Sequence, residues 1–98
     1  MEIRTTDVFD DWFARFRDRQ TKARIQVRID RLAAGNAGKF RNLTGGVSEM
    51  KIDYGPGYRV YFTERKGQIV VLLVGGDKTT QSQDIRQAII LAKALEDV

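Results

Sequence analysis

The chain of 98 residues has no cysteine and no histidine. Without cysteine it can form no disulfide, no zinc–thiolate site and no thiol nucleophile. Without histidine it lacks the commonest general base and the commonest transition-metal ligand. Its serines and threonines therefore have no partner for a nucleophilic triad. Its carboxylates are scattered, which argues against a hard-metal site, and no cofactor or metal is expected. No apolar stretch approaches the ~18 residues that suggest a membrane span; the longest runs from Ile69 to Val74. The opening residues do not follow the basic-then-apolar order of a secretory signal. The expectation is a soluble, cytoplasmic protein without a membrane partner. A chain of this length forms one domain, residues 1–98, and can bury roughly 60–65% of its unfolded surface in a single core.

What the chain does have is positive charge, unevenly placed. The formal charge is +4. Between Arg15 and Arg41 lie nine basic residues, opposed only by Asp18 and Asp30. A solvated helix face explains such a run, because Arg and Lys are good helix formers. The same run beside a basic sheet face points to a polyanion partner. Arg24, Arg28 and Arg31 are the helix residues placed to bind RNA or phosphate.

The most informative stretch is Val47 to Phe62. Met50, Ile52 and Tyr54 alternate with Glu49, Lys51 and Asp53, the period of a half-buried strand. Gly55-Pro56-Gly57 then supplies a tight turn. In the strand that follows, Tyr58, Val60 and Phe62 alternate with Arg59, Tyr61 and Thr63. If the apolar sides of both strands share one core, Lys51 and Arg59 share the other face. That face suits a phosphate-bearing ligand; a solvated face with cross-strand ion pairs is the plainer reading.

The rest of the chain supplies elements around this hairpin. Residues 1–4 suggest a short strand. Phe9, Trp12, Phe13 and Phe16 form an apolar stripe on a helix that starts near Thr6 or Asp7. A break at 18–21 starts a second helix with Ile25, Ile29 and Leu32 inward and Gly35 at its C-terminal end. The glycine-rich stretch 36–46 offers a short strand, anchored by Phe40 and Leu43, and a turn at Gly45-Gly46. A turn at 65–67 leads into Gln68–Val74, an apolar run that reads as the central strand, buried on both faces. A polar loop from Asp77 precedes a last helix, capped by Thr80 or Ser82, with Ile85, Ala88, Ile89, Ala92 and Leu95 on one stripe. Short turns between consecutive strands favour an α+β fold: a helical hairpin and a C-terminal helix on a small, mainly antiparallel sheet.

Five residues form the best chemical constellation: Glu49, Lys51, Arg59 and Tyr61 from the strands, and Lys78 from the loop. Arg59 can grip a phosphate with two parallel hydrogen bonds. Lys51 and Lys78 can stabilise charge on a phosphorane. Glu49 or Tyr61 can move a proton. RNA carries its own nucleophile, the 2′-hydroxyl, so positioning and charge stabilisation suffice for cleavage without a metal.

The segments GGVSEMKIDYGPGYRVYF and LLVGGDKTTQSQDIRQA resemble the RelE/ParE toxin superfamily, most closely its HigB-like branch of addiction-module killer proteins. The N-terminal TTDVFDDWFARFRDRQTKARIQVRIDRLAAGN is similar to that branch as well. The resemblance covers nearly the whole chain. It implies a RelE-like fold and the toxin of a type II toxin–antitoxin pair. It also implies a metal-independent, ribosome-dependent mRNA endonuclease that inhibits translation. The partners it implies are mRNA on the ribosome and a small antitoxin, in this branch commonly a helix-turn-helix protein that alone contacts operator DNA. By resemblance Arg59 matches the family's strand arginine, Lys51 its basic strand segment and Lys78 its lysine after the last strand. Glu49 matches a strand glutamate with a structural role. Several relatives place a tyrosine or histidine near the C-terminus as acid or base, and Leu91–Val98 offers neither. ParE-type relatives share the fold and inhibit DNA gyrase without catalysis. That is one alternative, and a basic nucleic-acid-binding module without toxicity is another.

Overall fold

The computed structural model describes residues 1–96. Five strands form one sheet: β1 (Glu2–Thr5), β2 (Phe40–Asn42), β3 (Val47–Ile52), β4 (Tyr58–Arg65) and β5 (Ile69–Gly76). Their order is β1-β5-β4-β3-β2. All neighbours are antiparallel except β1 and β5, which run parallel at one edge. β5 is an interior strand, as its apolar run requires, but the central position belongs to β4.

The helices cover both faces. α1 (Asp7–Ala14) and α2 (Arg19–Ala33) lie on one side and α3 (Gln81–Glu96) on the other. The Thr6 hydroxyl caps α1 by accepting from the Phe9 amide, and Asp18 caps α2 through the Gln20 amide. These are the short polar residues that satisfy otherwise orphaned helix N–H groups. α1 stops before Phe16, so the aromatic stripe continues past the helix end. Phe16 still packs edge-on against Trp12 and Tyr58. At the end of α2, Gly35 takes a φ of +90°, which a residue with a Cβ resists.

The core has two halves. Phe9, Ile25, Ile29 and Leu32 pack against Met50, Ile52, Val60, Phe62, Val70 and Leu72 beneath α1 and α2. Val47, Tyr61, Val71, Leu73 and Val74 pack against Ala88 and Ala92 of α3. Of the residues expected inside, Val60, Phe62 and Leu72 are buried, while Tyr54, Ile69, Ile85 and Ile89 are half-buried. Phe40, expected as an anchor, is 49% exposed at the β2 edge, with its ring 6.4 Å from that of Phe62.

Two local features place the end of β5. The ladder slips between Tyr61 and Phe62, which pair with Val74 and Leu72, so Leu73 is an extra residue. Such a bulge bends the strand; here it lets Leu73 and Val74 both join the α3 half of the core. Gly75 and Gly76 then pass between Trp12 and Asp84. A Cβ on Gly75 would overlap the Trp12 ring, and one on Gly76 would overlap the Asp84 carboxylate and the Thr80 hydroxyl. The chain turns into α3 through a single 3-10 turn, Lys78–Thr80. Asp77 caps that turn, accepting from the Thr79 amide and hydroxyl. Thr80, one of the two residues expected to cap the last helix, stands directly before Gln81, where α3 begins, and its hydroxyl donates to Asp84.

Candidate functional site

The hairpin of β3 and β4 sets the site. Its register pairs Lys51 with Arg59 and Glu49 with Tyr61. These four side chains therefore share the face that α3 covers, but α3 covers them unequally. Near the middle of the strands Tyr61 is fully enclosed and Glu49 is buried. Toward the Gly55-Pro56-Gly57 turn the cover ends, and Lys51 is part-exposed. Positive φ at Gly55 and Gly57 lets the turn fold over the strand end.

Glu49 is the hub of the buried part. One carboxylate oxygen, Oε1, accepts from Arg41 Nε at 2.8 Å. The other, Oε2, accepts from the Tyr61 hydroxyl at 2.9 Å and from Gln81 Nε2 at 3.0 Å. Gln81 is the first residue of α3, so this bond fastens the helix start to the sheet. Burial alone raises the Glu49 pKa, but the bonds from Arg41, Gln81 and Tyr61 outweigh it and leave the carboxyl below its ordinary value. Burial and the bond to Glu49 together push the Tyr61 phenol strongly upward. Tyr61, expected among the RNA-contacting residues, thus sits inside the core and spends its proton on Glu49. Glu49 stays ionised with its lone pairs engaged. Neither is poised to exchange a proton with a ligand.

Arg59 lies at the boundary between hub and surface. It is 8% exposed, and its Nη1 donates to the Gly57 carbonyl at 3.0 Å. Its Nε is buried with no hydrogen-bond partner, and Glu49 Oε2 lies 3.9 Å away. An orphaned donor on a buried cation is costly. Beside it opens a cavity of about 350 Å³ lined by Lys51, Asp53, Tyr54, the Gly55–Gly57 turn, Arg59 and Lys78. The three cations chosen from sequence line one concave surface. Two strands and a turn deliver them: Lys51 by β3, Arg59 by β4, and Lys78 by the turn that Asp77 caps.

The α2 arginines divide. Arg28 donates to the carbonyls of Lys51 at 2.8 Å, Ala37 at 3.0 Å and Lys39 at 3.4 Å. Its guanidinium ties α2 to β3 and to the loop before β2, and little of it is left for a ligand. Burial lowers its pKa. Arg24 and Arg31 remain exposed. Arg24 places its guanidinium carbon 5.1 Å from the centre of the Tyr54 ring. Arg24, Arg28 and Arg31 line a second cavity of about 400 Å³, which shares Asp53 and Tyr54 with the first. Asp53 was outside the sequence-derived set. It pairs with Lys39 at 3.3 Å and Lys51 at 3.6 Å, and the Lys39 bond leads the effects that hold its carboxyl below the ordinary range. Its alternation with Glu49 and Lys51, one residue past the end of β3, was the available signal. Among the described residues no group of three acidic side chains is arranged to hold a metal, and no helix is long and apolar enough to cross a membrane.

Fold and cleft together define a small basic α+β protein in which three cationic side chains line a cavity at the open end of the sheet. The family profile described as "Phage derived protein Gp49-like (DUF891)" matches residues 11–95. The chain belongs to this phage-derived Gp49-like family, a RelE-like family of toxin–antitoxin toxins. A relative in Haemophilus influenzae, carrying the description "Uncharacterized protein", is 45% identical over 95 residues, covering 97% of this chain and 96% of the relative. Family membership implies an antitoxin as partner.

Proposed function

We propose that this protein is a HigB-like toxin that cuts mRNA on the ribosome without a metal of its own. The observation that carries this reading is the convergence of Lys51, Arg59 and Lys78 on one cavity. In the reaction the 2′-oxygen of one nucleotide attacks the adjacent phosphorus. The P–O bond to the next nucleotide's 5′-oxygen breaks, leaving a 2′,3′-cyclic phosphate and a 5′-hydroxyl. Arg59 holds the non-bridging oxygens, and Lys51 and Lys78 stabilise the charge that grows on the phosphorane and on the leaving oxygen. Asp53 is the carboxylate lining the cavity, and its lowered pKa makes it a poor proton acceptor. The 2′-proton therefore passes to water or to the ribosome, and the leaving 5′-oxygen takes a proton from the same sources, which accords with a requirement for the ribosome.

In this reading the antitoxin is a small helix-turn-helix protein whose acidic segment covers the basic cleft, and operator DNA is bound through the antitoxin. Expression of the chain in the cytoplasm should arrest growth, and co-expression of the antitoxin should restore it. Mapping mRNA 5′ ends after induction tests the target. New 5′-hydroxyl ends that depend on translation support cleavage. Arrest without new ends, together with inhibited supercoiling by gyrase, would favour the gyrase alternative instead.

A further inference from the structure

The two cavities joined at Tyr54 and Asp53 do not have the same chemistry. The first carries three cations around Arg59. In the second, Arg28 is engaged by backbone carbonyls, and the other lining groups are the exposed Arg24, Val27 and Arg31 and the half-buried Tyr54, with Asp53 at the junction. A carboxylate repels a phosphate, so the junction does not suit a backbone that simply continues from one cavity into the other. It does suit a nucleobase. Guanidinium planes and aromatic rings stack on bases, and here the two are already associated, with Arg24 on the Tyr54 ring. A carboxylate at the edge accepts hydrogen bonds from exocyclic amino groups. Asp53 is exposed, and its pairs with Lys39 and Lys51 are surface pairs that a ligand can exchange at small cost.

We propose that the cavity between α2 and the end of β3 is a nucleobase subsite, in which Arg24 on Tyr54 stacks a base and Asp53 selects one carrying an amino group. This rests on the mRNA-cleaving reading of the adjoining cleft. The phosphate next to the recognised base lies at Arg59, and the base turns away from it across Tyr54. Adenine, cytosine and guanine offer an amino donor at their pairing edge, and uracil does not. The subsite therefore disfavours uracil.

The test is binding of short labelled single strands to the full chain, followed by fluorescence anisotropy. The probes are 2′-O-methyl oligo(A), oligo(C) and oligo(U) of one length and an abasic strand of that length. The methylated 2′-oxygen prevents cleavage during titration. For the wild type, oligo(A) and oligo(C) should bind more tightly than oligo(U), and the abasic strand should be weakest, by about tenfold or more. Asp53→Ala should remove the preference by weakening oligo(A) and oligo(C) to the level of oligo(U). Arg24→Ala should bring all three toward the abasic strand. Equal binding of all four probes by the wild type would overturn the proposal, as would an Asp53→Ala variant that still disfavours uracil. Mapped mRNA ends separate the two levels of the argument. If the wild type cuts mRNA with one base preference and Asp53→Ala cuts with the same preference, the subsite is wrong and the nuclease stands. If the binding ladder is found and no mRNA is cut, the base site stands and the nuclease reading fails.

Discussion

Replacing Glu49 with glutamine tests the buried hub with almost no change of shape. An amide can still accept from Tyr61 and Gln81, so those bonds survive. What is lost is the negative charge, 3.9 Å from Arg59 Nε and 2.8 Å from Arg41 Nε. Arg41 is exposed and recovers solvation. Arg59 is 8% exposed and does not. At an effective dielectric of 20, a charge pair at this distance is worth about 4 kcal/mol. The Arg59 bond to the Gly57 carbonyl and partial relaxation offset some of this, leaving a net loss of about 2–4 kcal/mol. In a domain of this size that lowers Tm by at least roughly 8 °C. Urea unfolding followed by circular dichroism at neutral pH measures it. The pH dependence supplies a second signature. The Glu49 carboxyl titrates lower in the folded state than its ordinary 4.5. Its stabilisation is therefore complete above that pH and is lost as pH falls through the lower folded value. The gap between wild type and Glu49→Gln should close over that interval. A variant within about 0.5 kcal/mol of wild type at pH 7, or a gap that stays constant on acidification, would refute the hub.

Three further outcomes follow from packing. Leu72→Ala empties a fully buried position on β5 and should cost about 2–5 kcal/mol in denaturant unfolding. Gly76→Ala drives a methyl into Asp84 and Thr80, so it should destabilise by about 1–3 kcal/mol, and pairing it with Asp84→Ala should recover part of that loss. Arg28→Ala should lower stability by about 1.5–3 kcal/mol through its bonds to the carbonyls of Lys51 and Ala37, while Arg31→Ala should leave Tm unchanged.

The apolar half of the fold was legible because its rules are local. Thr6 and Asp18 cap helices where capping residues stand, and Gly55, Gly57 and Gly35 take the positive φ that glycine allows. The α3 side was harder to read. Alternation of Glu49, Lys51, Arg59 and Tyr61 with apolar residues looks like a solvated face, yet Glu49 and Tyr61 are buried because they satisfy each other. The signal that could have shown this lay one strand away. Gln68–Val74 is apolar on both sides, so a helix had to cover the second face, and its neighbour β4 is covered with it. The bulge at Leu73 left no mark, since Leu73 and Val74 fit an apolar run in either register. The site was legible as a set of cations. Its division was not, because the carbonyls that engage Arg28 come from residues nine to twenty-three positions away.

The central claim is that Arg59 holds the scissile phosphate. The most direct measurement compares mRNA 5′ ends and growth after induction of wild type, Arg59→Ala and Arg59→Lys, each checked for folding by its thermal transition. Glu49 keeps Arg41, Tyr61 and Gln81 as partners when Arg59 is removed, so the fold should persist. Loss of one preorganised contact of this kind typically slows a reaction about a hundred- to a thousandfold. Folded Arg59→Ala should neither cut mRNA nor arrest growth. Arg59→Lys should recover only part of both, since a point charge cannot replace a planar fork. Full cleavage and full arrest by a folded Arg59→Ala variant would contradict that claim.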